Sequence, residues 1–121
     1  MHSPSVLAHF RQPRGAGPLP GANAVGRAEN PICGDVLEVS LRLEGGVIAE
    51  ARFRAQSCVA TIACASHLTD RIGGLSTAQA LAITAASLTE TLGGLPDASA
   101  HAAQLAIDAL GAAVRAGMPA R

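Results

Sequence analysis

Val36-Leu37-Glu38-Val39-Ser40-Leu41-Arg42-Leu43-Glu44-Gly45-Gly46-Val47-Ile48-Ala49-Glu50-Ala51-Arg52-Phe53-Arg54-Ala55 is the stretch that decides the fold. In residues 36–43, Leu37, Val39, Leu41 and Leu43 share one face, while Glu38, Ser40 and Arg42 share the other. Side chains alternate across a strand, so this is a half-buried β-pattern. Residues 47–55 repeat it, with Val47, Ala49, Ala51, Phe53 and Ala55 set against Glu50, Arg52 and Arg54. Glu44-Gly45-Gly46 supplies the turn, so the two runs are expected to form an antiparallel hairpin. A stable sheet needs a third strand, sought around Asn30–Asp35 or after Phe53.

Outward from the hairpin the pattern turns helical. Residues 60–72 hold no Gly or Pro and stop at Gly73-Gly74. Ser76-Thr77-Ala78-Gln79 fits a capping box opening a helix through about Ala86, and Ser87-Leu88-Thr89-Glu90 fits a second. The last helix runs to about Ala116, with Leu105, Ala106, Ala109, Leu110 and Ala113 as its apolar stripe. Toward the N-terminus, residues 5–10 read as a short helix capped by Ser5, and Pro13–Gly26 reads as a Pro/Gly-rich loop. The fold class is α+β: a small antiparallel β-sheet, hairpin plus third strand, packed against several C-terminal α-helices.

The composition excludes several classes. The chain has 121 residues, 49% hydrophobic and 15% charged, which argues for one folded domain rather than disorder. The formal net charge is zero, all nine basic residues are Arg and scattered, and the aromatics are two Phe. Nothing there resembles a nucleic-acid surface. No apolar run approaches a membrane span, and the N-terminus lacks the pattern of a signal peptide, so a cytoplasmic protein is expected. Three cysteines cannot all pair within one chain, which favours free, metal-bound or reactive thiols.

Four residues stand out as candidate ligands. Cys33 and Asp35 flank Gly34 just before the hairpin; in an extended segment, positions two apart project to the same side. Cys58 falls where strand gives way to helix, a place that lowers a thiol pKa. His101 opens the last helix, four residues before the core-facing Leu105. Two thiolates, an imidazole and a carboxylate form a plausible set for a thiophilic ion. Each has a plainer reading: a turn Asp, a small apolar Cys, a helix-end His bonded to backbone. Cys64 lies six residues beyond Cys58, on a different side of the helix, and reads as core.

Over nearly its whole length the chain resembles the NifU/IscU-type iron–sulfur cluster assembly scaffold family. Leu7-Ala8-His9-Phe10-Arg11-Gln12-Pro13-Arg14-Gly15-Ala16-Gly17 is similar to the family's opening helix and NPRN-G segment. Asn30-Pro31-Ile32-Cys33-Gly34-Asp35 is close to NPxCGD, and Ala51-Arg52-Phe53 with Ser57-Cys58 through Ser66 resembles ARFxxxGCxxxIASSS. Leu95-Pro96 and His101 through Asp108 resemble LPPxxxHCxxLAxDA. The resemblance implies a scaffold domain over residues 29–117, preceded by a helix and loop (1–28) and followed by a short tail (118–121), one domain overall.

It also implies a non-enzymatic scaffold or carrier. Such a protein assembles a transient [2Fe-2S] cluster from iron and desulfurase-derived sulfur, passes it to apo iron–sulfur proteins, and binds Zn2+ when empty. Cys33, Asp35, Cys58 and His101 match the family's metal positions, with Cys33 and Cys58 as the cluster thiolates. Three departures matter. Ala102 stands where the family has its third Cys, Cys64 where it usually has Ser, and the segment after Leu95-Pro96 lacks the Lys read by a dedicated Hsp70-type chaperone. With two matched thiolates, the set is complete for tetrahedral zinc, and a cluster bridging two copies in a homodimer would gain further thiolates. The alternatives are a zinc-binding relative that accepts sulfur from a cysteine desulfurase, and a thiol enzyme with Cys58 as nucleophile and His101 as base.

Overall fold

A computed structural model describes residues 2–30, 34–96 and 99–117. In chain order the elements are α1 (Pro4–Arg11), β1 (Ala24–Asn30), β2 (Asp35–Glu44), β3 (Val47–Gln56), α2 (Val59–Ile72), α3 (Thr77–Leu81), α4 (Ala85–Thr91) and α5 (His101–Gly117). The expected α+β class holds: three antiparallel strands in the order β1-β2-β3, with helices packed on one face. The core joins Leu37, Val39 and Leu41 of the sheet to Leu68 and Ile72 of α2, Leu88 and Leu92 of α4, and an alanine-rich face of α5.

The third strand lies before the expected place. Ala24–Asn30, within and just beyond the supposed loop, pairs with β2 from Ala24↔Leu41 to Asn30↔Asp35. Gly26 disguises it in the sequence. A Cβ on Gly26 would stand 2.0 Å from the Ala113 nitrogen and 2.6 Å from the Ala109 carbonyl oxygen. Glycine there reflects a close backbone approach, as isolated strand glycines often do.

The hairpin carries a second surprise. Pairing slips between Arg42↔Glu50 and Leu43↔Ile48, leaving Ala49 as the extra residue of a bulge. The bulge reverses the facing beyond it, so Ile48 is buried and Val47 is exposed. A strict alternation had placed Val47 and Ala49 inward.

Helix boundaries move for local reasons. Ser3, not Ser5, caps α1: its hydroxyl accepts the Val6 N–H, and Pro4 occupies the first turn. Ser76 and Gln79 form the expected capping box, but α3 stops at Leu81. Ile83 then turns into the core, and Thr84 rather than Ser87 caps α4 by accepting the Ser87 N–H. The loop after α1 covers the outer edge of β3, with Gly17 N–H donating to Phe53 O at 2.9 Å and Phe53 N–H to Gly15 O at 2.8 Å. An edge covered in this way is protected from pairing with other chains.

Polar contacts tie α1 to α2. His9 Nδ1 lies 2.7 Å from the Ser66 hydroxyl, which also accepts the Arg14 N–H at 2.7 Å. The His9 and His67 rings meet edge-on, with centroids 5.2 Å apart, and His67 Nε2 lies 2.7 Å from Thr91 Oγ1. Burial holds both imidazoles below their ordinary pKa. For His9, Arg14 adds to the shift and Asp70 opposes it. For His67, His9 and Arg71 add and Asp70 opposes.

Two outcomes are expected. Gly26→Ala must push α5 off the sheet and should cost about 3 kcal/mol or more in urea unfolding. Gly111→Ala, whose Cβ would meet only the mobile end of Arg115, should be neutral or mildly stabilising. For the histidine pair, the folded state favours the neutral rings, so the unfolded chain binds more protons below their ordinary value of 6.5. This contribution is complete above that pH and is lost as pH falls through it. Tm should therefore drop between about pH 7.5 and about pH 5.5, and less so in His9→Gln/His67→Gln.

Candidate functional site

The site lies where three element ends converge. Asp35 begins β2 on the same face as Leu37, Val39 and Leu41, which carries it to the rim of the core, 5% exposed. Ser57 follows the last residue of β3 and precedes Cys58, the N-cap residue of α2. His101 is the first residue of α5, which packs along β1 and β2.

Asp35 is the hub. Its Oδ1 accepts the Ser57 hydroxyl at 2.6 Å, and its Oδ2 lies 3.1 Å from His101 Nε2, which must donate because an ionised carboxylate can only accept. The pair joins residues 66 apart in sequence. A cleft of about 200 Å³ opens beside His101, lined by Glu29, Asn30, Gln104, Leu105 and Asp108.

Cys58 is exposed, and its Sγ lies 3.8 Å from Thr61 Oγ1. Partial burial pushes its pKa up. The N–H groups of Thr61 and Ala60, with the Thr61 and Ser57 hydroxyls, outweigh burial and leave the thiol below its ordinary value. Free N–H groups at a helix start favour a thiolate in this way. Cys64 is the opposite case: fully buried on α2, it is pushed up to about 12 by burial, with Cys58 adding to the rise.

Of the four expected ligands, the structure brings Asp35 and His101 into contact and sets Cys58 one residue beyond the hydroxyl that holds Asp35. Cys33 lies outside the described residues. Among the described residues no three His, Cys, Asp or Glu side chains are grouped to hold a metal ion. Gly34 has φ of 72°, so the chain is not extended on entering Asp35, and the same-side argument for Cys33 and Asp35 does not apply. The sulfur of Cys58 meets Thr61, while His101 Nε2 is turned to Asp35. Ala102, where the resembled motif carries a further Cys, is fully buried.

Two contributors escaped the sequence reading. Ser57 stands where the resembled motif carries Gly. Thr61 is the third residue of α2, where a hydroxyl can reach back over the helix start. A hydroxyl beside a candidate ligand was the available signal, but side-chain direction across three elements is not encoded in spacing.

The family model of the NifU-like N terminal domain matches residues 1–117. The chain belongs to that family. The iron-sulfur cluster assembly scaffold protein IscU 1 of Archaeoglobus fulgidus is 37% identical over 114 residues, covering 94% of this chain and 74% of the relative. The corresponding scaffold protein IscU of Aquifex aeolicus is 36% identical over 116 residues, with the same coverage. A crystal structure of a NifU-like protein (N-terminal) from Brucella abortus superposes with a TM-score of 0.76 at 17% identity, covering 95% of this chain and 92% of that one, a likeness of fold. None of the described helices of this NifU-like chain is long and apolar enough to cross a membrane.

The two thiols should behave oppositely. Alkylation of the native protein near neutral pH, mapped by mass spectrometry, should modify Cys58 and spare Cys64, which should react only after denaturation. Thr61→Val should raise the pH at which Cys58 reacts.

Proposed function

We propose that this chain is an iron–sulfur cluster assembly scaffold or carrier. It would take up iron and sulfur as cargo, hold them transiently as a [2Fe-2S] cluster, and pass them to apo-proteins. The observation that carries the reading is the Asp35–His101 contact, held by Ser57, the residue before a Cys58 thiol whose pKa lies below its ordinary value, in a member of a family whose relatives bear scaffold names. Cysteine desulfurase as sulfur donor and apo iron–sulfur proteins as recipients follow from that reading.

The donor types suit such cargo. A thiolate favoured by helix N–H groups binds a thiophilic ion without first having to shed a tightly held proton. Carboxylate and imidazole are harder donors, and a site mixing them with thiolate exchanges more readily than four thiolates would. Asp35 orients His101 through Nε2, so Nδ1 is the ring nitrogen that would meet an ion. Cys33 would complete the set.

A second reading has its own support in Ala102. A buried methyl where the family has a thiol leaves two cysteines, with Asp35 and His101, as a complete tetrahedral zinc set. The protein would then be a zinc-binding relative that accepts sulfur from a desulfurase.

Anaerobic reconstitution with iron and sulfide separates the two. The chain has no Trp or Tyr, so charge-transfer bands would stand clear of protein absorbance. Coloured protein supports the carrier reading, and colourless protein holding about one zinc per chain supports the second. Cys58→Ser should weaken uptake at least about 10-fold in either case, while Cys64→Ala should leave it intact. A chain that takes up neither cluster nor zinc overturns both.

A further inference from the structure

We propose that Ser57 is a positioning residue, a latch whose hydroxyl holds the Asp35 carboxylate on His101 and competes with cargo metal for that carboxylate. The inference rests on the carrier reading above. Both oxygens of Asp35 are already used inside the protein: Oδ1 by Ser57 at 2.6 Å and Oδ2 by His101 Nε2 at 3.1 Å. The Asp35 side chain is 7% exposed, so little water is at hand to replace a lost donor. An O–H···O⁻ contact of this length lies in the charge-assisted range, roughly twice as strong as a neutral hydrogen bond.

Ser57 is well placed for the role. It sits in the bend between β3 and α2, and its backbone neighbour Cys58 is the exposed thiol. A metal that takes an oxygen of Asp35 must displace Ser57 or His101. Displacing Ser57 breaks this charge-assisted bond and leaves its hydroxyl only the neighbouring Cys58 sulfur to turn to, at a cost. When the metal moves away, the hydroxyl recaptures Oδ1 and returns the carboxylate to His101. The latch thus acts through Asp35 and favours release.

The test uses the full chain loaded with Co2+, whose thiolate bands report binding, and follows its release to excess chelator by stopped flow. Ser57→Ala should slow release about 10-fold, and Ser57→Thr should restore the wild-type rate. In an Asp35→Asn background, Ser57→Ala should have no further effect. In the metal-free protein, nitrogen NMR should find neutral His101 in the Nε2–H form, mixed with the other tautomer in Ser57→Ala and restored in Ser57→Thr. Unchanged release from a Ser57→Ala protein that binds cobalt overturns the latch and leaves the carrier reading standing. Slowing that persists in the Asp35→Asn background also overturns it. A wild-type chain that takes up no cobalt overturns the latch, while the carrier reading stands or falls on the iron and sulfide reconstitution.

Discussion

The rest of the structure depends on how closely α5 lies on β1. Gly26 offers no side chain, and Ala109 and Ala113 offer only methyls, so helix and strand backbones meet at van der Waals distance. From Ala109, at the near end of that contact, His101 lies eight residues back along α5, about 12 Å; from Gly26, Asn30 lies four residues on along β1, about 13 Å. Asn30 pairs with Asp35, so the helix start is delivered to the carboxylate.

The same economy runs through the core. With two Phe and no Trp or Tyr, the interior cannot rest on large rings and is filled by alanines set among Leu, Ile and Val. Small side chains let helices and sheet approach closely, and close approach fixes directions well. A site made from the ends of β2, β3 and α5 needs that fixity, because none of the three elements holds more than part of it.

Much of this was legible in the sequence. The hairpin, α2 with Cys58 at its start, and α5 with His101 at its start follow from periodicity and stop signals that act over a few residues. The misread parts share a cause: tertiary contact overrode local pattern. Gly26 looks like a loop residue until α5 is laid against it, and the bulge at Ala49 breaks an alternation that looked regular. Thr84 displaces Ser87 as a cap because Ile83 is drawn inward.

For the site, the residue types and their places on the elements could be read directly, because a helix start or a strand end is a local property. What each side chain touches could not. The sequence by itself determined an α+β domain with a thiol at one helix start, an imidazole at another and a carboxylate at a strand end. Only the tertiary structure decided that the carboxylate joins the imidazole across 66 residues and that Ser57 holds its other oxygen. Hydrogen bonds between distant segments depend on how helices and sheet are docked, and docking is set by the whole core rather than by any one stretch of chain.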